Sequence, residues 1–286
     1  MTILTNRTII HRLPYKLHSD ITALVGDNII NYELTRIDAS SPMSTLEIET
    51  EQWVHDCCFI VTSQPVLRIR LKAENNYPKI TAYLRLRTSL SSIVMTGTGM
   101  ITTTNSIQSD SLVLELAGTG DTHLHVDITS KLDVILSGTG DAHLQVVTSK
   151  LDVILSGAGD ITMTGNVRGA GDIRLTDTGD FDSRACPMNT VIVDVSGAGT
   201  AYVNGEQAVD VAVSGTGDVH YHGPLRSQRV NRRASINGLR STNKLESINS
   251  LFSSISQIFN SSTTTMKISI NFYIICFFFY VFKFSF

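Results

Sequence analysis

Thirteen residues, 129–141 (TSKLDVILSGTGD), recur as 148–160 (TSKLDVILSGAGD), with Thr139 and Ala158 the one point of difference. So close a self-match, 19 residues apart, is the signature of a repeat architecture and restricts the fold more than any other feature. The G-x-G that ends each copy begins at Gly97, Gly118, Gly138, Gly157, Gly197 and Gly215. Asp177-Thr178-Gly179 fills the remaining place, so successive offsets are 21, 20, 19, 20, 20 and 18. Asp fits at 177 if the first glycine of each corner supplies a left-handed conformation, which Asp tolerates. Gly169-Ala170-Gly171-Asp172 is off this register and is expected at the opposite corner of one turn.

The segments before the corners, 112–116, 132–136, 151–155, 191–195 and 209–213, are aliphatic at their first, third and fifth positions and variable between. That is a period of two with one buried face. A second strand follows each corner, with inward pairs such as Thr122 and Leu124, Ala142 and Leu144, and Ile161 and Met163. Two short strands and two corners cannot bury themselves alone. Stacked as coils, they share one core and each strand pairs in parallel with its copies. The expected fold is therefore all-β, a single-stranded parallel β-helix (β-solenoid) of about 20 residues per coil. It is expected to be right-handed, and a short C-terminal helix and an apolar tail follow it. At ~4.8 Å per coil the registered corners make a rod of roughly 30–35 Å.

Upstream, residues 15–90 hold alternating runs at 29–34, 46–49, 59–62, 66–71 and 83–86. Arg68, Arg70, Arg85 and Arg87 alternate with apolar residues there, which reads as a solvated strand face rather than a phosphate site. Trp53, the single tryptophan, is expected to anchor the core at a strand end. With 23 basic against 26 acidic residues, the chain carries no electrostatic footprint for nucleic acid. Cys57, Cys58, Cys186 and Cys276 lack the spacing of a disulfide framework or zinc site and read as small buried hydrophobes.

Four regions follow. Residues 1–19 are an N-terminal extension without an apolar run of signal-peptide length. Residues 20–224 are the β-helix domain. Residues 225–265 form a basic, Ser-rich linker holding an amphipathic helix at 244–259, whose Leu245, Ile248, Phe252, Ile255 and Phe259 are spaced 3, 4, 3 and 4. That helix is expected to cap the open end of the solenoid, with a partner or a membrane surface as the alternative. Residues 266–286 are a hydrophobic tail whose uninterrupted run, 272–282, is 11 residues, against about 20 for a spanning helix. A membrane segment, a lipid-anchor signal and a gene-model artefact all fit it, with membrane attachment favoured.

Two sets of side chains invite a functional reading. Asp121, Asp141, Asp160, Asp180 and Asp218 follow the corners and stack as an acidic ladder, the first four about 5 Å apart. Such a spacing is near that of retaining-glycosidase carboxylates, and calcium also prefers clustered oxygens. Recurrence in nearly every coil favours a structural role instead, each Asp accepting hydrogen bonds from its own turn. The second set, His123, His125, His143, His220 and His222, shares an outward face with Tyr202, Thr162, Gln145 and Asn204. A transition-metal site is conceivable there, but no acidic or cysteine ligand joins the histidines at fixed spacing, and a polar binding face is the expected role. The G-x-G units lie between strands, so they are not dinucleotide or phosphate loops.

At these corners the chain resembles the head-GIN-domain family of auto-transporter adhesins, which repeats L-x-V-x-L-S-G-S-G-D before an alternating strand. Residues 132–141, 151–160 and 209–218 carry the likeness, which extends over roughly 20–223. Thr or Ala replaces the middle Ser, and Met100 and Thr200 stand where two of the aspartates belong. The resemblance implies a β-helix that is exported, at the cell surface or membrane-associated, with no catalytic residue to transfer. The expected function is a non-catalytic, adhesin-like module presenting a polar face to a glycan or protein. No metal or cofactor is expected beyond calcium on the ladder. The alternative is a polysaccharide-cleaving β-helix enzyme using the stacked aspartates.

Overall fold

Strands with one apolar face need a partner face, and in this chain the partner is the chain itself, coil upon coil. The computed structural model describes residues 10–17, 21–57, 59–63, 65–72, 77–230 and 235–238. The first half contains β1 (Ile10–Tyr15), β2 (Ala23–Gly26), β3 (Asn31–Arg36), β4 (Thr45–Glu51), α1 (Gln52–Cys57), β5 (Phe59–Ser63), β6 (Val66–Leu71), β7 (Thr81–Leu86), β8 (Ser92–Met95) and β9 (Ile101–Thr103). The second contains β10 (Ile107–Leu116), β11 (Thr122–Leu136), β12 (Ala142–Leu155), β13 (Ile161–Leu175), β14 (Phe181–Ala185), β15 (Met188–Val195), β16 (Ala201–Val213), β17 (Val219–His222), β18 (Leu225–Val230) and β19 (Ile236–Gly238).

These strands form two ribbons around one core. Ribbon A runs β1-β4-β7-β3-β9-β11-β12-β13-β14-β16-β17-β19. Ribbon B runs β5-β6-β2-β8-β10-β11-β12-β13-β15-β16-β18. The long strands β11, β12, β13 and β16 bend at a register shift, giving their first half to ribbon A and their second to ribbon B. Gly169-Ala170-Gly171 falls at that shift in β13. Every pairing from β8 onward is parallel, as the repeat requires. The chain is a β-solenoid with about 20 residues per turn.

Inside, Ile93, Leu114, Val134, Val153, Ile173, Val193 and Val211 follow one another in register along ribbon B, all buried. Each such side chain stabilises the fold by about 1.5–3 kcal/mol relative to exposure. The stack is therefore held together by many modest, nearly equal contributions rather than by one dense centre.

The N-terminal coils are not laid down in chain order. β2 lies between β6 and β8, and β3 between β7 and β9, so a segment made early is sandwiched by coils made later. Antiparallel strands β1, β4 and β5 then end the ribbons, and α1 connects β4 to β5. Its Val54 joins the core, while Trp53 is 43% exposed and stacks on Tyr77 with centroids 5.8 Å apart. The expected core anchor is thus a surface residue. A single helical turn that turns Val54 inward carries its neighbour outward, and the indole N–H donates to Glu51 Oε2 at 2.7 Å.

A second correction concerns residues after 224. The stretch read as a linker contains β18, parallel to β16, and β19, parallel to β17. Side-chain periodicity is absent there because the pairing satisfies backbone groups of the preceding coil, whatever the side chains are. Arg226 pairs with Asp210 of that coil. The amphipathic helix at 244–259 and the tail at 266–286 lie outside the described residues. Among the described residues no helix is long and apolar enough to cross a membrane.

Candidate functional site

The G-x-G corners exist because coils touch backbone to backbone there. A Cβ on Gly138 would lie 1.9 Å from the Gly118 carbonyl oxygen, and one on Gly157 would lie 2.0 Å from that of Gly138. None of the corner glycines has positive φ; among the described residues only Gly165 and Gly223 do. Close approach, not left-handed geometry, selects glycine, so the explanation offered for Asp177 from its tolerance of that geometry does not hold.

The corner aspartates work between coils. Asp141 N–H donates to Asp121 Oδ1 at 3.1 Å, Asp160 N–H to Asp141 Oδ1 at 2.9 Å, and Asp180 N–H to Asp160 Oδ1 at 2.8 Å. Asp180 Oδ1 accepts from Thr200 N–H at 2.6 Å, and Asp218 Oδ1 accepts both N–H and O–H of Ser235. The amides of a corner's own turn are already committed to the coil before it, as Gly138 N–H to Leu116 O and Thr139 N–H to Gly118 O show. That is why the own-turn role expected for these carboxylates fails. Where Met100 replaces Asp, Asn31 Oδ1 accepts its N–H at 2.9 Å. Replacing Asp160 by Ala is expected to cost about 1 kcal/mol, roughly 2–4 °C in melting temperature. Asp160→Asn, which keeps an acceptor oxygen, should lose less than half of that. Equal losses for the two variants in thermal melts would contradict the inter-coil bond. Melting with and without chelator checks calcium on the same ladder.

The histidine face occupies one ladder column of ribbon A. In register it reads Glu33, Thr102, His123, His143, Thr162, Asp182, Tyr202, His220, Asn237. The structure brings His123 and His143 together, ring centroids 4.8 Å apart, with His125 on the same face. Tyr202 and His220 form a second group, stacked at 4.7 Å with 12° between their planes. His222 lies two residues on, opposite Asn204, its Nδ1 buried without a hydrogen-bond partner. Four ladder steps, roughly 19 Å, separate His143 from His220, so the five histidines do not form one site. Among the described residues no three His, Cys, Asp or Glu side chains are placed to hold a metal ion together.

Sequence reading missed Asp182 and Arg184. The Arg184 Nε donates to both Asp182 carboxylate oxygens, at 3.0 and 3.1 Å, and its guanidinium lies 4.6 Å over the Tyr202 ring. Arg184, Tyr202 and His220 are thus one stacked column. Asp182 standing where neighbouring coils carry His143 and Thr162 was the available signal.

Ribbon B was also missed as a surface. Asp133, Asp152 and Asp172 stack in register, with Lys131 reaching Asp133 at 2.6 Å and Asp152 at 2.7 Å, and Arg174 reaching Asp172 at 2.9 Å. Two shallow grooves of about 310 and 260 Å³ lie along it. Burial pushes the Asp152 carboxyl up, but Lys131 and Lys150 outweigh it and hold the group below its usual range. Asp182 is lowered by Arg184, Asp210 by Arg226 and Asp218 by Ser235. In the opposite direction, burial raises the Cys186 thiol to about 11. A depressed carboxyl stabilises the fold above its unfolded value of about 3.9 and loses that contribution as pH falls through the folded value. A raised thiol loses its contribution as pH climbs past about 8.5 towards 11. Melting temperature should therefore be flat from about pH 5 to 8 and decline on either side. A maximum below about pH 4 would contradict this assignment of shifts.

Among curated proteins none matches this chain. Solved structures do. A putative adhesin from Parabacteroides distasonis superposes with TM-score 0.69 at 21% identity, covering 82% of this chain and 98% of that one. One from Parabacteroides merdae gives 0.68 at 19%, covering 81% and 96%. A putative lipid binding protein from Parabacteroides distasonis gives 0.71 at 17%, covering 81% and 97%. At such identities these neighbours speak to the fold. The family model described as "Putative auto-transporter adhesin, head GIN domain" matches residues 35–224, two thirds of the sequence with every registered corner in it, and the chain belongs to that family.

Proposed function

We propose that the protein is a non-catalytic, adhesin-like binding module that works at the cell surface and presents the outward face of ribbon A to a glycan or protein. The observation that carries this reading is the column from His123 to His220, six polar side chains in register on a parallel sheet. Arg184, Tyr202 and His220 cover one another's faces, so they offer N–H and O–H edges outward. Such a surface recognises hydroxyl and carbonyl groups by hydrogen bonds rather than by ring stacking. The enzyme alternative has less support. The ladder carboxylates each hold the amide of the next coil in the same way, and nothing sets one apart as acid and its neighbour as base. Membrane attachment through residues 266–286 fits the surface role and rests on the sequence alone.

The test is binding of the full chain to a glycan array and to intact cells, beside the double variant Tyr202→Ser, His220→Ser. The variant loses the Tyr202–His220 stacking, about 0.5–1.5 kcal/mol, so it should stay folded and melt roughly 1–6 °C below wild type. It is expected to bind at least about tenfold more weakly. Unchanged binding would remove the ribbon A face. Turnover of any polysaccharide that Asp141→Ala abolishes would replace the adhesive reading with the enzymatic one.

A further inference from the structure

We propose that His123 and His143 form a two-histidine site for a borderline divalent transition ion, Zn²⁺, Cu²⁺ or Ni²⁺. Their strands are locked in register from Thr122–Ala142 to Val126–Val146, so the two Cβ atoms are held as ladder neighbours by rigid backbone. The ring centroids are 4.8 Å apart and the planes 36° from parallel. Two imidazoles bound to one ion at 2.0–2.1 Å have centroids roughly 4.5 Å apart for a right-angle geometry and about 5.2 Å apart for a tetrahedral one. The observed separation lies between these values, and rotation of two exposed rings about their side-chain bonds brings their nitrogens to a common point.

The surroundings suit a cation. Both rings are exposed, so binding requires no buried group to be desolvated. The same column carries Thr102 before the pair and Thr162 after it, neither of them charged. Asp121 and Asp141, two residues upstream of each ring and exposed like it, bring negative potential while their Oδ1 atoms accept the amides of Asp141 and Asp160. No acid joins the two rings as a third ligand among the described residues. Imidazole is the ligand these ions share, whereas calcium and magnesium select oxygen. The two protein ligands leave the remaining positions to water or to a donor from a bound partner. His220 lacks such a neighbour, because its ladder partner is Tyr202.

The test is equilibrium dialysis of the full chain against Ni²⁺ or Zn²⁺ alone, comparing wild type with His123→Ala, His143→Ala and His220→Ala. Because the first two side chains are solvent-exposed, their variants should melt like wild type. The expected result is one ion bound by wild type and by His220→Ala, and affinity at least about tenfold weaker in either of the other two. Loss limited to one of the pair, equal loss in His220→Ala, or no wild-type binding would each overturn the site. A second readout is the imidazole NMR signals: ions added to wild type should shift those of His123 and His143 together and leave His220 unmoved.

Discussion

Gly138→Ala should cost about 3 kcal/mol or more, a fall of roughly 6–12 °C in melting temperature, or it should prevent folding. The new methyl carbon would lie 1.9 Å from the Gly118 carbonyl oxygen and 2.9 Å from the Ala117 carbonyl carbon. Both atoms are backbone, so no side chain can rotate aside. The coils must separate, and separation breaks the bonds from Gly138 N–H to Leu116 O and from Thr139 N–H to Gly118 O. The repeat supplies its own control. Thr139→Ala converts this corner to the composition already present at Ala158, and it should melt within about 1 °C of wild type. Both measurements are thermal melts followed by circular dichroism. A Gly138→Ala protein as stable as Thr139→Ala would mean that the coils do not meet at the corner.

Phe181→Ala is the core counterpart, with an expected loss of about 3–5 kcal/mol, roughly 6–20 °C. Phe181 is fully buried and stands in register between Ile161 and Ala201. Its bulk lies beside the small side chain of the next coil, so truncation leaves two alanines in succession. The ladder bonds on both sides fix the coil spacing and prevent the gap from closing. Phe181→Leu keeps most of the volume and should cost less than about 1.5 kcal/mol. The order Phe, Leu, Ala in melting temperature is the check. If Phe181→Ala lost no more than Phe181→Leu, the interior would be loose at this coil rather than closely packed.

The two corrections at the corners show where sequence reasoning stops. The recurrence of Gly138 and Gly157 was plain, yet their φ values were not. Glycine answers both to left-handed geometry and to close approach, and the choice depends on a carbonyl oxygen of another coil. Likewise Asp141 was legible as a hydrogen-bond acceptor, but its donor, the Asp160 amide, is 19 residues away in sequence and adjacent only through stacking. The histidines divide for the same reason. His123 and His143 share a repeat position and meet, whereas His220 is offset by coils whose outward residues are Thr162, Asp182 and Tyr202.

The sequence by itself determined the coil. Aliphatic residues every second position, returning every 18 to 21 residues, can be buried only by stacking the chain on itself in parallel. It could not determine the order of the first coils, where β2 and β3 are enclosed by strands that follow them by about forty residues or more. β2 and β3 themselves carry no copy of the repeat, so nothing local fixes their register. Their places are set by the edges that β6, β7, β8 and β9 present to them, and those edges are brought together only in the folded molecule.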